Sequence, residues 1–301
     1  MSDLVTVVVS AGGASERMLR TCLCSLERHR GETPYDILVV STWGQSGIPQ
    51  KVSEDLGFNF RGASFPVDNL SGSRLHAGVL DASVFRVDTP YMLTLDADCF
   101  PITDDWLDWM MNDIQNGAAI SGILHPYSPP PEYIPITTMD YRIRSQLCWS
   151  NTHVACQLIG MDTLKRLGVG FSDGDDTGLA ITKKAREMGM KVNGLKVTGC
   201  AKADIDGPLE MNRESCLVFG DKVYHHGGGS REEQGKGSPG DVWRNIRKRV
   251  LDEGGAEFLL EGDNLYRYCF DSEEEVAKQM VNGIMNGMKI YLETHNVAFE
   301  E

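Results

Sequence analysis

The chain has little positive charge for its size. Its 301 residues carry 29 lysines and arginines against 43 aspartates and glutamates, a formal net charge of −14. That balance disfavours broad electrostatic adhesion to nucleic acid or to an anionic membrane, although a local basic patch is compatible with it. No apolar run reaches the length of a membrane span. A strand-like run starts at Leu4, so no signal peptide is expected. The eight cysteines include no pair at zinc-knuckle spacing. Cys22 and Cys24 fall on a predicted helix, where residues two apart face away from each other. Free thiols in the cytoplasm are therefore expected. There is no internal repeat and no long linker, so one compact domain with helical additions is the preferred organisation.

What is present is a regular alternation of elements. Val5 to Val9 is a continuous β-branched run and reads as a strand buried on both faces. After the turn Ser10 to Gly13, Met18, Leu19, Cys22, Leu23 and Leu26 recur at helical spacing. Tyr35–Val40 is a second buried strand, a short helix follows around 50–56, and a third strand lies near 58–64. Ser73–Phe85 is predicted helical, and Tyr91 opens a fourth strand. This alternation implies an open, mainly parallel sheet with helices on both faces.

Further on, Trp106, Trp109 and Met110 mark a helix. Ala118–Leu124 and Val154–Ile159 read as strands, and 162–167 as a short helix. The prolines between 125 and 136 favour an extended loop. A helix is expected from Asp175 to about Met188, and two more at about 241–252 and 273–293.

The fourth strand, Tyr91-Met-Leu-Thr-Leu-Asp96-Ala97-Asp98, ends in two carboxylates one residue apart. They repel each other and each costs free energy to desolvate, so a positive group is expected between them. A divalent cation bridging to a diphosphate suits such ligands. An edge strand entering a polar loop is the plainer alternative. The position beyond the carboxyl end of a strand, where ligands bind in sheets of this kind, favours the cation.

Several segments then fall in a familiar order. The run Val5–Gly13, the strand end Val39–Thr42, the segment Asn69–Gly78, Asp96-Ala97-Asp98, Gly174-Asp175-Asp176 and His225-His226-Gly-Gly resemble the GT-A glycosyltransferases, broadly of the family 2 type. The resemblance spans about residues 3–230 and rests on order and spacing. It implies a GT-A type α/β fold: an open mixed sheet flanked by helices, with a Rossmann-like nucleotide-binding half. The implied domains are 1–238 (halves 1–100 and 101–238) and a C-terminal helical extension at 239–301.

The resemblance also implies roles. Ser10, Ala11 and Gly12 would line the nucleotide. Thr42 stands near the place where the family commonly carries an aspartate that contacts the base, a departure from the pattern. Asp98 would ligate Mn²⁺ or Mg²⁺ directly, with Asp96 on the ribose or the ion's outer shell. His226 or His225 would complete the site. An imidazole suits Mn²⁺ better than Mg²⁺, and alternation along an extended chain lets only one of the two histidines point inward, with a slight preference for His226. Asp176, then Asp175, is the expected catalytic base; the plainer reading makes both an acidic helix start. Arg74 and Arg231, the latter in a glycine-rich loop, are placed to meet the diphosphate.

The implied activity is metal-dependent, inverting transfer of a sugar from a nucleoside-diphosphate sugar, UDP being the expected nucleotide. The acceptor is a hydroxyl on a saccharide, lipid, protein or modified nucleobase. Two other classes compete with it. A nucleotidyltransferase that makes nucleotide sugars needs a fuller basic, glycine-rich signature than Ala11–Arg17 offers. A non-catalytic nucleotide-sugar-binding module would not need carboxylates at both the metal and base positions. The basic run Trp243–Arg249 reads as a contact for a phosphate-bearing acceptor or a membrane surface, or as a solvated helix face.

Overall fold

A computed structural model describes residues 4–11, 16–42, 47–66, 70, 72–125, 151–174, 177–201, 216–227 and 241–267. The expected Pro-rich loop, the helix at 273–293 and the glycine-rich loop beyond Gly227 lie outside these residues.

The first half alternates as its periodicity demands. Strand β1 (Val5–Ser10) leads to helix α1 (Glu16–Arg28), β2 (Tyr35–Thr42), α2 (Gly47–Leu56), β3 (Arg61–Phe65), α3 (Ser73–Val84) and β4 (Tyr91–Asp96). The chain continues through β5 (Cys99–Pro101), α4 (Trp106–Gln115), β6 (Ala118–His125), β7 (Asn151–Gly160), α5 (Met161–Leu167), α6 (Leu179–Glu187) and β8 (Lys191–Val192). It then forms β9 (Val197–Ala201), β10 (Leu217–Phe219), β11 (Val223–His225), α7 (Asp241–Glu253), a 3₁₀ turn (Glu257–Leu260) and β12 (Leu265–Arg267).

Seven strands make a mixed sheet in the order β3-β2-β1-β4-β7-β6-β8. The pairs β3–β2, β2–β1 and β1–β4 are parallel, whereas β7 runs antiparallel to both β4 and β6. The mixed α/β class is the one expected. Strand order reverses between β1 and β4, which opens a crevice at their carboxyl ends. Ser10 and Asp96 are register partners across it.

Both faces of the sheet are covered, which explains the unbroken apolar run of β1. Val5, Val7 and Val9 pack on Met18, Leu19, Cys22, Leu23 and Leu26 of α1 and on Trp106 and Met110 of α4. Val8 faces the other way, onto Ala77, Val79 and Leu80 of α3 and Ile181 of α6. Each fully buried aliphatic side chain of this kind contributes about 1.5–3 kcal/mol of transfer free energy.

A second, antiparallel sheet was not anticipated. Its order is β12-β9-β10-β11-β5. Its strands are three to five residues long, too short for period-two alternation to stand out. The chain passes from one sheet to the other between β4 and β5, through Asp96-Ala97-Asp98. Helix α7 packs on the same core: Trp243, Ile246 and Val250 are buried in the cluster that holds Phe100 and Tyr224. Its basic run is partly spent on aromatic faces. Arg247 lies 5.2 Å from the Trp243 ring centroid and Arg249 lies 3.8 Å from that of Phe258, whereas Arg244 and Lys248 are exposed. No described helix is long and apolar enough to cross a membrane, and the six described cysteines are free thiols.

One boundary departs from expectation for a clear reason. The helix read from Asp175 begins only at Leu179, because Gly178 precedes it in the left-handed region at φ 71°. A Cβ on Gly178 would also come within 2.1 Å of Val154 Cγ1. Gly178→Ala is expected to lower stability by roughly 2–4 kcal/mol, from left-handed backbone strain plus overpacking. Chemical denaturation of the variant checks this, and an unchanged midpoint would refute it.

Candidate functional site

The site begins at the corner between the sheets. Strand β4 ends at Asp96 and β5 begins at Cys99, so Ala97 and Asp98 form the bend. Strand β11 pairs antiparallel with β5, with His225 opposite Cys99 and Tyr224 opposite Phe100. The His226 amide donates to the Asp98 carbonyl at 2.9 Å. This backbone pairing, rather than side-chain affinity, brings a histidine to the two carboxylates.

Alternation along β11 decides which histidine it is. His225 lies against the acids, with its Nε2 3.9 Å from Asp98 Oδ1. One ligand atom from each of Asp96, Asp98 and His225 falls within 4.8 Å of the others. The slight sequence preference for His226 is therefore corrected. His226 shares the opposite face with Tyr224, whose hydroxyl lies 3.0 Å from its Nδ1, and its ring stacks on Trp243 at 4.8 Å. Trp243 comes from a helix distant in sequence, so local pattern gave no sign of that partner.

The electrostatics suit a cation. Burial pushes the Asp96 carboxyl up, but the charge and proximity of His76, with smaller help from His153 and His225, hold it down at about 2. His76 Nε2 comes within 2.9 Å of Asp96 Oδ1. That carboxylate oxygen is shielded from water, at a place from which Asp96 could ligate a metal ion together with Asp98 and His225. Burial, reinforced by His153, pushes His225 down to about 3 against the pull of Asp96. Its imidazole is neutral at neutral pH, the form that binds a metal. Two carboxylates and one neutral imidazole make a hard-to-borderline donor set that fits Mn²⁺ and less well Mg²⁺.

Around this trio the structure gathers part of what the sequence predicted. Ser10 and Thr42 sit at the carboxyl ends of β1 and β2, each more than nine-tenths buried, and the Ala11 amide donates to the Val40 carbonyl at 2.8 Å. Ala97 is buried in the bend. Arg74 is exposed on the first turn of α3, and His76, two residues on, lies beside Asp96. Gly12, Asp175, Asp176 and Arg231 lie outside the described residues.

Two residues of the site escaped the sequence reading. His76 lay inside the quoted segment Asn69–Gly78, but only folding turns it onto Asp96. His153, on β7, has its ring centroid 5.5 Å from that of His225 and accepts the Ala155 amide at 3.1 Å on Nδ1. A lone histidine in a strand carries no spacing signal that could have singled it out.

Thr177, which follows the acidic pair in the sequence, is anchored nearby. The Thr177 hydroxyl donates to the Ser73 carbonyl at 2.9 Å. Ser73 lies one helical turn before His76, on the same face of α3. The residue that follows the acidic pair is therefore tied one turn away from the histidine that contacts Asp96.

No protein-family model matches the chain, and no curated protein matches it. Solved structures do. The chain is similar to the mannosyltransferase PcManGT from Pyrobaculum calidifontis, in complex with GDP-Man and Mn²⁺, at 14% identity and a TM-score of 0.48, over 100% of this chain and 77% of that one. It is similar to residues 1–349 of TarS from S. aureus at 13% identity and a TM-score of 0.47, over 99% and 76% of the two chains. It is also similar to the 4-diphosphocytidyl-2C-methyl-D-erythritol synthase of Anaerococcus prevotii at 14% identity and a TM-score of 0.44, over 64% and 88%.

Two outcomes are expected. Asp98→Ala and His225→Ala weaken Mn²⁺ binding by about tenfold or more, whereas His226→Ala leaves it near wild type and lowers stability by about 1–3 kcal/mol through lost stacking and hydrogen bonding. Titration calorimetry and thermal melts separate these effects, and Mn²⁺ binding that depends on His226 but not His225 would reverse the assignment. The second outcome concerns pH. Unfolded, His225 takes up a proton near its ordinary value of 6.5; folded, it resists until about 3. The unfolded state binds more protons across that window, so stability falls as pH drops from about 6.5 towards 3. Asp96 adds a loss at lower pH, from 3.8 towards about 2. His225→Gln should flatten the upper part of the metal-free melting profile, and an unchanged slope would contradict it.

Proposed function

We propose that this protein is a metal-dependent, inverting glycosyltransferase of the GT-A type, taking a sugar from a nucleoside-diphosphate sugar, UDP being the expected nucleotide. The observation that carries the reading is the convergence of Asp96, Asp98 and neutral His225 at the carboxyl end of the central parallel strand. Ser10 and Thr42 lie at neighbouring strand ends, on the side where a nucleotide would lie.

Asp98 and His225 are the proposed direct ligands. Asp96, held ionised beside His76, completes the set or holds the ribose. A divalent cation bound there supplies Lewis-acid stabilisation of the negative charge that grows on the departing diphosphate. The acceptor oxygen attacks the anomeric carbon as the bond to the diphosphate oxygen breaks, and the hydroxyl proton passes to a carboxylate. Asp176 is the proposed proton acceptor, with Asp175 the alternative. The tie between Thr177 and Ser73 supports that role, because it holds the acidic segment's flank one helical turn from His76. A single attack from the face opposite the leaving group inverts the anomeric centre.

The proposed partners are a nucleotide-sugar donor and an acceptor hydroxyl on a saccharide, lipid, protein or modified base. Cytoplasmic residence and the division at about residue 238 are part of the same proposal.

The test is a panel of UDP-glucose, UDP-galactose, UDP-N-acetylglucosamine and GDP-mannose, each with Mn²⁺. At least one is expected to raise the melting temperature, because a ligand that binds only the native state stabilises it. The same donor should be hydrolysed slowly to its nucleoside diphosphate, and Asp176→Asn should keep donor binding while the rate falls by about 10²-fold or more. Release of pyrophosphate from a nucleoside triphosphate and a sugar phosphate, with no donor hydrolysis, would replace the reading with nucleotidyl transfer.

A further inference from the structure

Strand β7 has a break in its pairing beside the site. Gly122 of β6 pairs with Gln157, but the next residue, Ile123, pairs with His153, so Val154, Ala155 and Cys156 bulge between two consecutive partners. Several contacts hold this bulge in place. A Cβ on Gly122 would lie 2.3 Å from the Cys156 carbonyl oxygen, so glycine leaves the space the bulge needs. The Thr94 hydroxyl of β4 donates to the Val154 carbonyl at 2.6 Å. Across the bulge the Gln157 side-chain amide donates to Thr152 Oγ1 at 2.7 Å, and that hydroxyl lies 3.1 Å from Thr182 Oγ1 of α6. Thr152, Gln157 and Thr182 are each more than nine-tenths buried, where hydrogen bonds are electrostatically stronger than in water. Bulges next to active sites re-aim a side chain.

The side chain re-aimed here is that of His153. Strand β7 runs antiparallel to β4 with Cys156 opposite Leu95, so His153, earlier on β7, lies towards the end of β4 that carries Asp96 and Asp98. Its half-buried ring has its centroid 5.5 Å from that of His225. The Ala155 amide, inside the bulge, donates to His153 Nδ1 at 3.1 Å. A nitrogen that accepts carries no proton, so this ring is the neutral tautomer with its proton on Nε2. That tautomer offers no lone pair on Nε2 to a metal ion. His153 therefore differs in kind from Asp96, Asp98 and His225, whose ligand atoms converge. Its Nε2 is an N–H donor, on the side of the ring away from the Ala155 amide.

We propose that His153 is a catalytic hydrogen-bond donor in glycosyl transfer, its Nε2–H binding an oxygen of the donor's diphosphate. It stabilises the negative charge that gathers there as the sugar leaves. His153 keeps its proton throughout, and the electron pair of the broken bond stays on the diphosphate. The bulge sets the tautomer and the aim of the ring before substrate arrives, and a donor fixed in advance costs no reorganisation during the reaction. The inference rests on the function proposed above.

The experiment compares wild type with His153→Asn, His153→Gln and His153→Ala in the full chain, with Mn²⁺ and the donor of the panel that wild type hydrolyses. The Asn carbonyl still accepts the Ala155 amide, but its NH₂ stops short of the Nε2 position. The longer Gln brings an NH₂ to that position. The expected result has three parts. For Asn and Ala, kcat falls at least about tenfold. Their affinity for the nucleoside diphosphate of that donor, measured by calorimetry with Mn²⁺, falls about tenfold as well, while Kd for Mn²⁺ alone stays within about twofold. Gln recovers most of both losses. If Ala does not fold, Asn and Gln are read without it. An Asn variant within twofold of wild type in kcat and nucleotide affinity overturns the inference, because the contact within the bulge is then all that His153 supplies. A Gln variant as impaired as Asn overturns it too. So does a Kd for Mn²⁺ that weakens in step with kcat, which would make His153 a metal ligand. Each of these leaves the glycosyltransferase reading standing. A wild type that binds Mn²⁺ but consumes no nucleotide sugar overturns that reading, and this inference falls with it.

Discussion

Two like charges at the end of a buried strand are the constraint on which this molecule is organised. Asp96 and Asp98 lie one residue apart where β4 leaves the large sheet, both turned from bulk water. Such a pair is stable only if the surroundings compensate it. Three histidines from three separate elements surround it: His76 from α3, whose charge does most to hold Asp96 ionised, His153 from β7 and neutral His225 from β11. Only α3 neighbours β4 in the chain, and each is delivered by backbone pairing or helix packing. A site with a surplus of anionic ligand atoms and neutral imidazole is poised for a divalent cation.

The second sheet accounts for how the histidine arrives. β5 is only three residues long, yet with it the chain, having left one sheet at β4, joins the other, and β11 is registered against it. That register places His225 beside Asp98 and sends His226 to the opposite side, where Tyr224 and Trp243 enclose it. A slip of one residue would exchange the two rings. The aromatic stack that holds His226 therefore also secures the register that presents His225. Packing of α7 and chemistry at the Asp-x-Asp corner are coupled through one three-residue strand.

Helix α3 plays the matching part on the other face. It buries Ala77, Val79 and Leu80 against the sheet, which fixes its height above β1 and β4. The polar positions between and beyond those apolar ones are then held at set places: His76 at the acids, Asp81 at the Phe171 and Ser172 amides. A helix packed by its apolar stripe serves as a ruler for the groups on its flanks.

The early elements were legible because periodicity and burial agree there. The β-branched run of β1 is buried on both faces, and Met18, Leu19, Cys22, Leu23 and Leu26 of α1 all face the core. The Asp-x-Asp pair was legible because two charges ending an apolar strand have no structural motive of their own. The short strands of the second sheet were not, since three residues cannot display alternation. The start of α6 was misplaced because an acidic pair looks like a helix start, while the left-handed Gly178 that delays the helix is visible only in three dimensions. The sequence by itself determined the α/β class, the central strand and the identity of the two acids, because these follow from local pattern and from the cost of burying charge. Only the tertiary structure decided that His225 rather than His226 meets those acids, that His76 and His153 join them, and that Asp81 accepts the Phe171 and Ser172 amides. Those choices depend on strand register and helix packing between residues tens of positions apart, where pattern along the chain has no reach.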